Sequence, residues 1–452
     1  LALNSRLQVE DYDYALEDAV FAPAPGSLIV EDDYAQTNGE IGVNWQRPLG
    51  EQWRLEAVGI QRLRGSDFAS VFNTGASDGE FTEDSTSGES IGRLTLRHTR
   101  TPTWSLEGGG EIAFNFLESA TSYTENGVPI VLPFSDVRVE ELRGEVFGTS
   151  TWRPTSQWSL ELGMRAEVST ITQSGDTNLE RSFFYPKPRA LVTWTLNDQN
   201  QVRLRLEREV GQLDFDDFVS SAGFTNGVVT AGNSDLEPDK TWVAELAWER
   251  SFWDEGSLVV TLAHEEITDA SDRVPIFTLT DVFDAPGNIG DGTEDSLGID
   301  LTVPLGRLGI AGGRVRFRGE WSVSEVRDPT TGALRRMSGQ EPFEGEINFT
   351  QALPQWNLQW GGNAFLGFTE RYYRFDTVET IELEPWYNLF AEWRYRPDLS
   401  FRVELQNLSG RNFIRTREVY AGPRDTSPVI YTETRDLNFD PFIYFRIRRT
   451  WG

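Results

Sequence analysis

The chain has 452 residues, no cysteine, two histidines and a formal net charge of −30. Without cysteine there are no disulfides, thiolate metal sites or cysteine nucleophiles, and the acidic balance excludes a nucleic-acid partner, which needs clustered Lys and Arg against phosphate. Mean hydropathy is −0.42, and no apolar run approaches the ~18 residues of a membrane-crossing helix. A β-barrel is not excluded, because it hides its lipid face in every second residue. His98 and His264 are the only imidazoles, and no Ser-His or paired-carboxylate arrangement marks an enzyme.

Short polar turns recur roughly every fifty residues, the signature of a repeated hairpin. They fall at Pro48 to Glu51, Thr101 to Thr103, Pro154 to Gln157, Asn197 to Asn200, Trp253 to Gly256, Leu305 to Gly312, Pro354-Gln355 and Pro397-Asp398, with the chain end at Trp451 as a ninth mark. Between marks lie two alternating segments and one long acidic loop. In Trp158 to Val168, the residues Trp158, Leu160, Leu162, Met164, Ala166 and Val168 share one face, opposed by Ser159, Glu161, Gly163, Arg165 and Glu167. Val202, Leu204 and Leu206 likewise oppose Arg203, Arg205 and Glu207. Val315, Phe317, Trp321 and Val323 oppose Arg314, Arg316, Arg318 and Glu320. Period two over about ten residues predicts tilted membrane-spanning strands, longer than the five or six residues usual in soluble sheets. Ten of the fifteen Trp lie near the short turns or the chain end, where indole rings meet the headgroup level.

The last segment places Ile443, Phe445, Ile447 and Trp451 on one face. It resembles the aromatic-ended C-terminal strand by which outer-membrane barrels are recognised for assembly, with Phe445, Ile447 and Trp451 as the signal. Arg449 interrupts that face and must snorkel, and Gly452 lies one residue beyond the usual terminal aromatic. Counting against the turns gives about eighteen strands, an even number as bacterial single-chain barrels require. The expected fold is therefore all-β, a transmembrane antiparallel β-barrel of outer-membrane type. With the turns on the periplasmic side, long extracellular loops are expected at about 14–35, 66–88, 118–137, 170–186, 211–240, 269–293, 326–342, 370–384 and 411–437. Charge is sided too: no Lys or Arg occurs from Leu7 to Gln46, Gly65 to Gly92 or Val274 to Gly306, whereas Arg47, Arg54, Arg100, Arg153 and Arg396 sit near short turns. Leu1 follows no initiator Met or apolar leader, so processing or truncation is expected there.

Ala231-Gly232-Asn233-Ser234-Asp235-Leu236-Glu237-Pro238, followed by Trp242 and Glu245-Leu246, resembles the GNPxLxPE segment of TonB-dependent receptors. Pro188-Arg189-Ala190, Phe215 to Phe218, Ser338-Gly339-Gln340 and Leu405-Gln406-Asn407-Leu408 match further marks of that family in order. Ser234 and Asp239 depart from its usual Pro and Glu, both being competent turn residues. The resemblance implies a 22-stranded barrel filled by an N-terminal plug that contacts TonB, so a plug and about two hairpins are expected upstream of Leu1. It further implies TonB-coupled import of a scarce, bulky solute such as a ferric siderophore. A passive eighteen-stranded porin and a structural or adhesive barrel are the rivals.

Gly232, Asn233, Leu236 and Pro238 are expected to bend a loop back into its descending strand. Lumenal Arg203, Arg205, Arg314, Arg316 and Arg318 either pair with lumenal Glu, meet plug carboxylates or contact an anionic solute. Phe215, Phe218 and Phe224 either form a ligand platform or pack their loop. The acidic groups Asp214, Asp216, Asp217 and Asp281, Asp284, Asp291, Glu294, Asp295 either bind Ca²⁺ or form a hydrated surface beside lipopolysaccharide. No catalytic residue, cofactor or resident metal is expected, and His98 and His264 read as interfacial. The expected partners are outer-membrane lipid and lipopolysaccharide, TonB through the plug, and the solute.

Overall fold

A computed structural model describes residues 1–20, 25–224, 228–278 and 282–451. Eighteen long strands form an antiparallel meander in which each pairs with the next in sequence. The first eight are β1 (Ala2–Val20), β2 (Gly26–Pro48), β3 (Trp53–Asn73), β4 (Asp78–Thr101), β5 (Trp104–Glu125), β6 (Asp136–Trp152), β7 (Trp158–Gly175) and β8 (Leu179–Asn197). Then come β9 (Asn200–Val210), β10 (Lys240–Phe252), β11 (Gly256–Thr268), β12 (Gly292–Pro304) and β13 (Gly313–Arg327). The last five are β14 (Phe343–Leu353), β15 (Leu358–Phe365), β16 (Trp386–Arg396), β17 (Leu399–Gln406) and β18 (Phe442–Arg449). Two short extensions, Val128–Ile130 and Leu334–Arg335, complete a 20-stranded sheet. Among the described residues β1 pairs only with β2, and β18 only with β17.

Register separates the two faces. Across five neighbouring strands Leu204, Leu246, Leu262, Leu297 and Trp321 stand in one row, with Leu204 and Leu262 each 51% exposed. The adjacent row is Arg205, Glu245, Ala263, Ser296 and Ser322. A band of exposed leucines around a sheet is unfavourable in water and matches a hydrocarbon surround, with the polar rows facing a lumen. Trp53, Trp152, Trp158, Trp194 and Trp393 ring the outer face near the short turns, all exposed. At the end of the chain Ile443, Phe445 and Ile447 face outward opposite Leu405, Val403 and Phe401. The Arg449 guanidinium lies 3.7 Å over the Trp451 ring and 3.9 Å from Asp398, and Gly452 lies outside the described residues.

The long-loop end differs from expectation. Segments 14–35, 66–88, 118–137 and 170–186 are mostly strand, and the gaps between strands shrink to 74–77 and 176–178 in two of the four hairpins. Beyond the bilayer both faces of a hairpin meet water, so apolar alternation stops while backbone pairing continues. From β9 onward the connections are long but folded. One small sheet joins Ser221–Gly223, Val228–Thr230, Val282–Asn288 and Ser271–Phe277; a second joins Phe368–Tyr373, Thr377–Leu383, Asn412–Tyr420 and Val429–Asn438.

The main buried core lies where a loop meets the lumen wall. Phe218, Val219 and Leu236 pack against Leu117 of β5, Val137 and Val139 of β6, and Ile171 of β7, all on inward positions, and each large side chain so buried contributes about 1.5–3 kcal/mol. Two substitutions test the assignment of faces. Leu262→Arg, on the outer row, should cost about 2–4 kcal/mol near the bilayer midplane, whereas Ala263→Arg, facing the lumen, should stay within about 1 kcal/mol of the parent. Denaturant titration in lipid vesicles measures both, and equal losses would invert the assignment.

Candidate functional site

The lumen wall carries opposite charges at cross-strand positions. Arg205 reaches Glu245 at 3.1 Å, Glu207 at 3.2 Å and Glu209 at 2.9 Å, and Arg203 lies 4.0 Å from Glu249. Arg316 and Arg318 share Asp300 at 2.5 and 3.4 Å, and Arg314 meets Glu255 in a short turn at 3.0 Å. Farther round, Lys187 bridges Glu145 and Glu167 at 2.9 and 2.7 Å, and Arg93 meets Glu111 at 2.7 Å. The exposed pairs among these, such as Arg203 with Glu249 and Arg314 with Glu255, contribute under about 1 kcal/mol each, so their consequence is a wet, charge-balanced wall rather than stability.

Against β1 to β5 this wall holds a cleft of about 420 Å³ lined by Arg6, Glu40, Arg62, Arg64 and Glu89, with Leu213 and Phe215 reaching in from the loop after β9. Arg62 is clamped between Glu40 at 2.7 Å and Glu89 at 3.1 Å. Phe215 is therefore placed toward the lumen. Phe218 and Phe224 do not line this cleft: both are buried, Phe218 in the core on the lumen wall, against which Phe215 also packs, and Phe224 among Val30, Phe81, Tyr123 and Leu132. Their rings pack the loops because those loops fold back onto inward-facing apolar residues, a pairing distant in sequence.

The motif residues bend this loop. A Cβ at Gly232 would lie 2.3 Å from the Phe218 carbonyl oxygen, so only glycine fits. Asn233 Oδ1 accepts from Asp235 N at 2.9 Å, and its Nδ2 donates to Pro286 O at 2.9 Å. Leu236 joins the core, Pro238 is buried, and Arg181 of β8 holds Asp235 and Glu237 at 3.1 and 3.3 Å. In the Leu405 to Leu408 segment, Asn407 takes φ 53 and is fully buried, its Oδ1 accepting from Arg411 N at 2.8 Å.

Above the lumen, a buried charge network unites the later loops. Asp328 is 2% exposed and accepts from Arg335 at 2.7 Å, Arg424 at 2.6 Å and the Thr331 amide at 2.8 Å. Arg335 also donates to Asp272 at 2.8 Å and lies 4.4 Å over the Tyr373 ring. Arg424 Nε donates to Arg374 O at 2.5 Å. Asp284 stands 3.8 Å from both Arg273 and Arg374, beyond hydrogen-bond length. Burial raises Asp328, but hydrogen bonds from Arg424, Thr331 and Arg335 overcome it and hold the carboxyl at about 2. Burial pushes Asp284 up to about 6 and Asp217 up to about 6. Sequence reading missed this network; its one signal was basic residues inside otherwise acidic loops.

Among the described residues neither acidic group offers a converging set of ligand oxygens. Asp214 caps a 3₁₀ turn through Asp216 N at 3.1 Å, Asp284 lies in the network, and Glu294 and Asp295 occupy opposite faces of β12, with Asp295 2.8 Å from His264. Asp281 lies outside the described residues. Asp11, Asp13 and Asp33 do converge, with one oxygen from each within 4.8 Å of the others, at exposed positions within β1 and β2. His98 faces outward and stacks on Trp53 with ring centroids 3.9 Å apart.

Two measurements probe the network. Asp328→Asn leaves Arg335 and Arg424 buried without their carboxylate and should destabilise the cap by about 3–5 kcal/mol; hydrogen exchange should rise across 328–342 and leave the β9 to β13 ladder unchanged. pH acts in two directions. Asp284, with an ordinary value of 3.8, binds its proton more tightly when folded, so its contribution is full below about 4 and lost as pH rises through about 6. The contribution of Asp328 is present above about 4 and lost toward pH 2. Near-ultraviolet circular dichroism melts should show cap stability highest near pH 4; a monotonic rise to pH 7 would contradict these environments.

A family model described as "TonB dependent receptor-like, beta-barrel" matches residues 4–408. No curated protein matches the sequence. The siderophore receptor PiuA from Acinetobacter baumannii superposes with a TM-score of 0.65 at 11% identity, covering 99% of this chain and 78% of that one. The pyoverdine receptor FpvA from Pseudomonas aeruginosa PAO1 gives 0.64 at 12%, over 99% and 72%. The copper transporter OprC gives 0.61 at 12%, over 99% and 83%. Identities this low speak for the fold and leave the cargo open. The apolar band, the ion-paired lumen and the matched family model together make the chain a member of the TonB-dependent receptor family, a β-barrel of the bacterial outer membrane.

Proposed function

We propose that the chain forms the larger part of an energy-coupled importer that carries a scarce, bulky solute, an iron chelate first among candidates, across the outer membrane. The family comprises receptors and transporters rather than enzymes. The observation that carries the reading is a folded extracellular cap standing over a polar, charge-balanced lumen. Such a wall lets a hydrated solute pass without a deep binding minimum, and the cap supplies surfaces for capture. Siderophores and copper in the names of similar structures support a metal-linked cargo.

A barrel this wide leaks unless filled. We assign the filling to an N-terminal plug domain that TonB pulls, and the seam between β1 and β18 to about two further hairpins, giving 22 strands. Unpaired strand edges within hydrocarbon leave N–H and C=O groups unsatisfied, which supports strand addition there. Lipopolysaccharide then surrounds the exposed hairpin ends of β1 to β4.

Deleting the gene should abolish growth on one iron or copper chelate as sole metal source, and loss of TonB should do the same. In planar bilayers the full-length protein should be nearly silent. A steady open conductance would assign a porin instead, and unchanged growth across chelates would favour a structural barrel.

A further inference from the structure

Two shallow grooves lie on the outer, lipid-facing surface of β3 to β8. A lower one of about 600 Å³ runs over Gly108 and Gly148 between Leu96 and Met164. An upper one of about 760 Å³ continues over Gly110 and Gly144 between Ile112 and Val168. Register joins them: Gly108 faces Gly148, Ile112 faces Gly144, and Gly148 faces Met164. From His98 in the lower groove to Gly92 in the upper is about 20 Å along the strand, which at the usual tilt spans roughly the half-thickness of the hydrocarbon core.

These glycines are not required by the backbone. A Cβ would meet its nearest atom at 3.9 Å for Gly148, 3.6 Å for Gly144 and 3.4 Å for Gly108 and Gly110, all ordinary contact distances. Gly109 between them is the contrast, with a Cβ only 2.2 Å from the Leu94 carbonyl oxygen. Interior strand glycine weakens a sheet and often marks a bulge, a bend or the close approach of a ligand or another backbone, and the ladder through Gly108 and Gly110 runs without a bulge. At the periplasmic end of the groove the charge is positive. Among the described residues Arg47, Arg100 and Arg153 have no carboxylate within 4.0 Å, unlike the paired arginines of the lumen. Arg100 lies 4.4 Å over the Trp104 ring, and Arg47 shares a row with Leu55 and Leu96.

We propose that this groove binds one anionic phospholipid of the periplasmic leaflet, its acyl chain lying along the glycine floor and its headgroup at Arg47 and Arg100. The apolar trough over the glycines can seat a single chain, and the unpaired guanidinium groups select a head of net negative charge.

Native mass spectrometry of the full-length protein, titrated with phosphatidylglycerol or phosphatidylcholine of the same chain length, tests the site. Wild type should retain one phosphatidylglycerol. Gly148→Leu should weaken retention at least about fivefold, while Ala244→Leu, on the outer face of β10, should not. Arg100→Gln should cut the preference over phosphatidylcholine by about fivefold, as expected for one basic group at an anionic surface. Heat-modified gel migration verifies folding of each variant, and Gly110→Leu replaces Gly148→Leu if the latter does not fold. Full retention in both groove-filled variants, equal retention of the two lipids, or a dimer that groove filling splits into monomers would each overturn the proposal.

Discussion

Every backbone N–H and C=O that enters hydrocarbon must be paired within the protein, and the rest of this molecule follows from that demand. A meander of eighteen strands meets it, except along the free edges of β1 and β18, by pairing each strand with its sequence neighbours. Pairing then imposes period two, which sorts side chains into an outward apolar row and an inward polar one. The leucine row through Leu204 and Leu262 and the charged row through Arg205 and Glu245 are two sides of the same ladder.

The two environments treat charge differently. In the lumen, arginines and glutamates oppose one another at half-exposed positions, where water screens them and each pair contributes little. In the cap, Asp328, Arg335 and Arg424 are buried, and the same chemistry becomes a strong constraint because removing one partner strands the others. Loops distant in sequence are tied at that point, while Phe218 and Leu236 fix the earlier loop to the barrel wall through apolar burial. The cap is thus held from two sides by different forces, and its connections reach the lumen through Leu213 and Phe215.

The outer surface adds a third environment. Its leucine rows satisfy the bilayer generally, but the glycine-floored groove and the unpaired arginines at its periplasmic end are local features that generic solvation by lipid does not require.

Membrane strands, the sidedness of short turns and the family were legible in the sequence by itself, because period two, tryptophans at turns and the Gly232 to Pro238 segment are local patterns. So was the strand count, since the turns mark it. Strand ends were not legible: β1 to β4 run far past the bilayer, where water on both faces erases the alternation that reveals a strand. The lumenal arginines could be assigned to a face from their spacing, but their partners come from register across strands, as Arg316 and Asp300 show. The burial of Phe218 and Phe224, the Asp328 network and the groove over Gly108 and Gly148 were decided only by tertiary structure. Each depends on residues from separate hairpins meeting in space, and sequence periodicity carries information about faces but none about which distant face it will meet.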